Sequence, residues 1–234
     1  GQILNIAYET PPLGTVKTNG YAYPYIDRSV LRTTLPYLTY LSIFTYGIRP
    51  DGTLIPPTGG DSELIALAKE YGTTPLMMLT SLTEEGTFSN ELVAQILQNE
   101  ALADQVIENT MSVLREKGYG GLDVDFEYIP AEYREAYPAF LNKLRERLTP
   151  EGYVLFASLA PKNSAEQRGL LYEGHDYGAV GEAVDYTLLM TYEWGYKYGP
   201  PLAVAPIYAV ERVVEYALTE IPREKISLGL PNYG

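Results

Sequence analysis

Leu122-Asp123-Val124-Asp125-Phe126-Glu127, preceded by Gly120-Gly121, alternates apolar and acidic residues without a break. Successive side chains on a strand point to opposite faces. Asp123, Asp125 and Glu127 therefore share one face, and Leu122, Val124 and Phe126 share the other. The apolar face suits packing against helices, so the acidic face must look into a barrel or its mouth. Three carboxylates in one row repel one another, and burying all of them ionised is costly. Such a row is retained where it raises a carboxyl's pKa so that it stays protonated and can serve as a general acid. Glu127 stands at the C-terminal end of the strand, where barrel enzymes keep their catalytic groups. The competing reading is an edge strand with solvated acids, but apolar alternation this clean marks a half-buried strand.

Working outward, short β-rich runs alternate with helical stretches. Expected strands are Thr18–Tyr23, Leu41–Tyr46, Pro75–Leu79, Gly121–Glu127, Val154–Ala160, Asp185–Tyr192 and Ile226–Leu230. Expected helices are Asn90–Lys117, with Gly118 where a C-terminal cap belongs, Ala131–Leu148, and Ile207–Ile221, ended by Pro222. Strands alternating with helices imply parallel pairing. The pattern predicts a (β/α)8 barrel of the TIM type that stops after its seventh strand, since such barrels need about 250 residues and the chain has 234. A flavodoxin-like sheet is the alternative and explains fewer of the strands. The chain reads as residues 1–14, a linker ending in Pro11-Pro12-Leu13-Gly14, followed by a catalytic barrel over 15–234.

Composition narrows the partners. The net charge of −13 disfavours nucleic acid and anionic membrane surfaces and is compatible with a neutral glycan. No apolar stretch approaches a membrane span, and no signal-peptide pattern opens the chain. Tyrosine is abundant, 22 residues against five phenylalanines and one tryptophan. Its flat face and hydroxyl suit sugar rings, although most tyrosines in a barrel are ordinary half-buried residues. There is one histidine, His175, and no cysteine, so thiolate metal sites and disulfides are excluded. His175 reads as a loop residue in Glu173-Gly174-His175-Asp176. Trp194, the only indole, fits stacking on a sugar or packing at the barrel mouth equally well.

The D-x-D-x-E strand resembles strand four of the family 18 glycoside hydrolases, the chitinase-like barrels, whose pattern is D-G-x-D-x-D-x-E; Gly120 replaces the first acid. Met190-Thr191-Tyr192-Glu193 resembles that family's strand six, with Glu193 in place of Asp. Gly229-Leu230-Pro231-Asn232-Tyr233-Gly234 resembles its strand seven. Ser81-Leu82-Thr83-Glu84 departs from the usual S-x-G-G of strand three. The likeness runs from about Val16 onward. Asn19–Ile26, Tyr40–Gly47 and Tyr192–Tyr196 resemble more narrowly the spore-germination branch, which acts on spore cortex peptidoglycan and carries LysM repeats ahead of the barrel. Gly1–Ile6 resembles the closing strand of such a repeat.

The resemblance implies hydrolysis of a polysaccharide or oligosaccharide containing N-acetylglucosamine, outside the cytoplasm, at the cell wall or spore cortex, with no cofactor or metal. It implies a substrate-assisted mechanism. Glu127 is then the proton donor, Asp125 holds the acetamide N–H, Asp123 tunes Asp125, and Tyr192 orients the acetamide carbonyl. Glu193, Trp194, Tyr233, Tyr21 and Tyr46 are expected to bind substrate. A glycan-binding barrel without turnover is the competing function, and a coat protein keeping the motif as a relic is a third. Retention of Glu127 favours the enzyme.

Overall fold

The computed structural model describes residues 14–199 and 201–233. The resemblance of Gly1–Ile6 to a LysM strand lies outside them. Seven parallel strands form the sheet: β1 (Asn19–Ala22), β2 (Tyr40–Ile48), β4 (Thr74–Thr80), β5 (Gly121–Asp125), β6 (Val154–Leu159), β7 (Tyr186–Leu189) and β8 (Ile226–Leu228), in that spatial order. A short antiparallel strand, β3 (Leu54–Ile55), pairs with the end of β2. Helices α2 (Ser62–Glu70), α3 (Asn90–Gln98), α4 (Glu100–Lys117), α5 (Ala136–Leu148), α6 (Tyr177–Ala183) and α7 (Ile207–Glu220) connect the strands, and α1 (Arg28–Thr34) follows β1. This is the (β/α) barrel arrangement the alternation implied, and the flavodoxin-like reading is set aside.

The two faces of β5 divide as the alternation requires. Leu122, Val124 and Phe126 enter the large core between sheet and helices, with Leu114 of α4 and Phe140, Leu141 and Leu144 of α5. On the inner face a separate cluster of Tyr40, Leu76 and Phe156 fills the barrel floor. Register then places Asp123 beside Met78 and Phe156, one step above that floor, and Asp125 beside Thr80.

Several expected boundaries move, each for a physical reason. The stretch Asn90–Lys117 is two helices, because Asn99 leaves helical geometry (φ −116°, ψ 101°) and its side chain accepts the Leu102 N–H as the N-cap of α4. Gly118 closes α4 in left-handed geometry, as expected. The strand expected to run to Glu127 ends at Asp125, where pairing with β4 stops, one residue after pairing with β6. The strand expected to reach Tyr192 ends at Leu189; the Thr191 and Tyr192 amides turn back to the Leu189 and Met190 carbonyls at 2.8 and 2.9 Å. Helices α1, α2 and α6 were not expected from the sequence; they have seven, nine and seven residues, too short for a sustained 3.6-residue period.

Tyr46 corrects an expectation. Strict alternation from Ser42 would point it inward, toward substrate. The register of β2 on β4 shifts between Ile43 and Tyr46, and this bulge turns Tyr46 outward into the sheet–helix core, 2% exposed. Its hydroxyl donates to Asp61 Oδ2 at 2.6 Å, the Tyr119 hydroxyl donates to the same oxygen at 2.8 Å, and Lys117 Nζ donates to Oδ1 at 3.0 Å. Burial pushes the Asp61 carboxyl up, but these three donors outweigh it and hold it below the usual carboxylate range.

Asp61 thus stabilises the fold as an anion. Asp61→Ala should cost about 3 kcal/mol, because it strands two buried hydroxyls and a partly buried ammonium. A carboxylate with a depressed folded pKa contributes stability that is complete at neutral pH and is lost as pH falls below about 5 toward the folded value. Urea unfolding at pH 7 and at pH 4 should show the wild type losing more stability on acidification than Asp61→Ala. Parallel losses in the two proteins would contradict this account.

Candidate active site

The acidic row climbs the inner wall of the barrel, and each step has a different environment. Asp123 is fully buried. The Ser42 hydroxyl donates to its Oδ2 at 2.7 Å and the Tyr21 hydroxyl at 2.9 Å. Asn19 Nδ2 donates to Ser42 Oγ at 2.9 Å, which orients that hydroxyl. Asp125 is buried with fewer donors: its Oδ1, like Asp123 Oδ1, has no protein partner, and the one side chain that favours its charged form is the nearby Ser158. Glu127, beyond the end of β5, is half-buried at the mouth.

These environments order the titrations. Burial raises the Asp123 pKa, while Ser42, Tyr21 and Asn19 oppose the shift. Asp125 is raised well above the ordinary carboxylate range, first by burial, then by the charges of Glu127 and Asp123. Glu127 is raised by burial and then by Glu193. The sequence reading placed the proton on Glu127. Asp125, with few donors and the charges of Glu127 and Asp123 on either side, is pushed toward its neutral form as well. The three carboxyls thus differ in environment and in what controls their protons, a difference that acid–base chemistry can use.

The loop after β7 completes the mouth. Tyr192 is half-buried; burial raises its phenol pKa, and Asp125, Tyr233 and Glu127 raise it further. Its ring lies over Gly229: a Cβ built there would meet Tyr192 Cε1 at 2.6 Å and the Leu189 carbonyl at 2.7 Å. The glycine of the strand-seven motif thus makes room for the strand-six tyrosine. Glu193 is exposed and accepts the Tyr233 hydroxyl at 3.0 Å, which raises the Tyr233 phenol to about 12 through burial and that bond. Tyr128 and Glu193, directly after Glu127 and Tyr192, have positive φ (53° and 67°). Such backbone costs about 1–3 kcal/mol per residue and clusters at functional sites.

Of the expected site residues, Glu127, Asp125, Asp123, Tyr21, Tyr192, Glu193 and Tyr233 are linked to one another by hydrogen bonds or by the effect of their charges. Trp194 is half-buried against the sheet–helix core, and its backbone N–H donates to the Val204 carbonyl at 3.0 Å. Tyr46 faces away, as described. Sequence reading missed Ser42, Asn19 and Ser158. A small polar residue amid the apolar run Tyr40-Leu41-Ser42-Ile43 was the available signal for Ser42. It also missed an aromatic stack beside the mouth, where Tyr23 lies 5.0 Å from Tyr25 and 4.7 Å from Phe44, ring centre to ring centre.

Comparison with known proteins fits this geometry. Residues 84–234 match Glycosyl hydrolases family 18. The Cortical fragment-lytic enzyme of Bacillus subtilis (strain 168) is 40% identical over 229 residues, which are 95% of this chain and 52% of that protein. The crystal structure of the Bacillus cereus spore cortex-lytic enzyme SleL superposes with a TM-score of 0.87 at 37% identity, over 94% of this chain and 52% of that one. A chitinase of Chromobacterium violaceum also superposes at 0.87, covering 94% of this chain and 69% of that one; its 21% identity makes this a likeness of fold alone. The chain spans about half the length of the curated relatives it matches.

Coupling between Glu193 and Glu127 can be measured without substrate. Glu193→Gln removes a negative neighbour, so the Glu127 carboxyl should lose its proton at a lower pH while remaining elevated by burial. A 13C NMR titration of the carboxyl carbons, with Glu127 assigned by comparison with Glu127→Gln, reads the midpoint directly. An unchanged midpoint would show that the two groups are not coupled.

Proposed function

The chain belongs to glycosyl hydrolase family 18, and from that premise we propose that it hydrolyses a glycan containing N-acetylglucosamine. The related enzymes are named for lysis of cortical fragments and of spore cortex, so the favoured substrate is cortex peptidoglycan and the place of action is outside the cytoplasm, at the spore cortex. The observation that carries the reading is the graded row: an acid bonded by two hydroxyls, an acid strongly biased to its neutral form, and a half-buried acid at the mouth.

Each residue then has a role that its surroundings support. Glu127, with access to the mouth and a raised pKa, protonates the leaving glycosidic oxygen and later takes a proton from water. The substrate's acetamide oxygen attacks the anomeric carbon. This leaves a cyclic oxazolinium ion, whose N–H donates to Asp125; the positive charge forming on the ring offsets the repulsion from Glu127 and Asp123, so Asp125 gives up its proton and binds the ring as a carboxylate. Asp123, fixed by Ser42 and Tyr21, supplies a charge behind Asp125 that makes its carboxylate a better acceptor. Tyr192 donates to the acetamide carbonyl. The family pattern supplies no second carboxylate across the ring: Asp125 is two residues from Glu127, roughly 7 Å along the chain.

Three measurements test the proposal. Glu127→Gln keeps shape and removes the proton, so turnover of N-acetylglucosamine oligomers or cortex fragments should fall at least 10²-fold with oligosaccharide affinity nearly intact; near-normal turnover would refute the assignment. NMR of the first-formed product should show the β-anomer, because attack by the acetamide and then by water inverts the centre twice. A glycan lacking the N-acetyl group at the cleaved residue should resist. Direct appearance of the α-anomer would mean a single displacement by water.

A further inference from the structure

His175 is the only histidine of the chain and is fully buried, yet it has no part in the chemistry above. It lies between the ends of two strands. Pairing between β5 and β6 stops at Val124–Ala157, and beyond that point the Phe126 carbonyl and the Ala160 N–H are buried with no strand to satisfy them. The imidazole spans the gap. His175 Nδ1 is 2.9 Å from the Ala160 nitrogen and Nε2 is 3.1 Å from the Phe126 carbonyl oxygen. An N–H can only donate and a carbonyl can only accept, so the bridge requires a neutral ring with its proton on Nε2.

The bridge is itself held on every side. Lys162, fully buried, donates from Nζ to the His175 carbonyl at 2.9 Å. The Tyr177 hydroxyl accepts from the Lys162 N–H at 2.9 Å and donates to the Ala160 carbonyl at 2.5 Å. Tyr137 stacks on the imidazole at 6.0 Å and on Phe126 at 6.2 Å. Asp176 caps α6 through the Ala179 N–H and accepts from Arg134 at 2.8 Å, which anchors the chain just after the histidine. Gly174, just before it, lies so close to the loop following Glu127 that a Cβ there would stand 2.2 Å from the Ile129 carbonyl oxygen. Burial, together with the Lys162 charge, lowers the imidazole pKa to about 4 against the opposing bond to Phe126, which agrees with a neutral ring.

We propose that His175 is a positioning residue for Glu127: a neutral imidazole that ties the Phe126 carbonyl to the end of β6 and so sets where the next residue's carboxyl stands. Its catalytic consequence rests on the reading of Glu127 as the proton donor. The bond fixes the peptide directly ahead of the acid, and the close approach of Gly174 fixes the segment after it. Glu127 lies beyond the strand ladder, so without this clamp its backbone would have no hydrogen-bonded neighbour strand to hold it.

The test uses two substitutions and one spectrum. His175→Leu removes both bonds; kcat on N-acetylglucosamine oligomers should fall roughly tenfold to a hundredfold, with KM nearly unchanged and the basic limb of the kcat profile displaced. His175→Gln carries a donor and an acceptor on one planar amide and should recover most of the lost kcat. A folded His175→Leu with wild-type kcat and pH profile would overturn the proposal, as would a folded His175→Gln no better than His175→Leu. If His175→Leu does not fold, His175→Gln alone decides: a kcat within about tenfold of wild type supports the clamp, and a larger loss in a folded protein overturns it. Independently, 15N NMR of the single imidazole should show the neutral Nε2–H form from pH 7 to about pH 5. A ring that titrates near its ordinary value of about 6.5, or carries its proton on Nδ1, would overturn the clamp without any assay. Failure of the unmodified chain to cut any glycan would instead overturn the hydrolase reading, while the imidazole spectrum still reports the bridge.

Discussion

Three carboxylates on one face of one strand, inside a barrel, impose a cost that the surrounding residues must distribute. Ionised together and buried they would repel strongly. The barrel resolves this as a gradient along the strand. The floor is apolar, built from Tyr40, Leu76 and Phe156. Asp123, the next step, receives hydroxyls from two other strands, which oppose the rise that burial causes. Asp125 receives too few donors and tends to its neutral form. Glu127 reaches the half-exposed mouth, where solvent and Glu193 share control of its proton. Each step along the strand thereby has its own influences on its proton, and acid–base chemistry exploits such differences between otherwise similar groups.

The outer face of the same strand supplies the rigidity that this gradient needs. Leu122, Val124 and Phe126 are fully buried against the helices. Phe126 stacks with Phe140 and with Tyr137, and Tyr137 with His175, so an aromatic layer lies directly beneath the peptide that carries Glu127. Packing of this density lets the chain hold Tyr128 and Glu193 at positive φ beside the site. The same economy appears where Gly229 leaves space for the Tyr192 ring. The site is thus held by packing on its far side, and the mouth residues carry comparatively little of the fold.

The anion at Asp61 shows the same physics put to a structural use. It too is closed to solvent, but it lies less deep than Asp123 and its donors include an ammonium, so its pKa is held down where burial raises that of Asp123. Two solvent-inaccessible carboxylates in one domain therefore differ in proton affinity through their donors as well as their depth.

The sequence by itself determined what is local. Period-two alternation in Leu122–Glu127 told which side chains share a face, Gly118 marked the end of a helix, and alternating strands and helices implied a parallel barrel. All of these follow from backbone preferences within a few residues. Only the tertiary structure decided what depends on register between distant segments. The bulge in β2 reverses Tyr46, and no residue near it announces the shift. Tyr21 meets Asp123 across 102 positions and His175 meets Phe126 across 49. Trp194 packs against the core from a loop whose backbone is bonded to Val204. Local pattern can say that an acid faces inward. Whether it finds a hydroxyl, a cation or nothing there depends on which strand lies beside it, and hydrogen bonds with a reach of about 3 Å make that difference decisive.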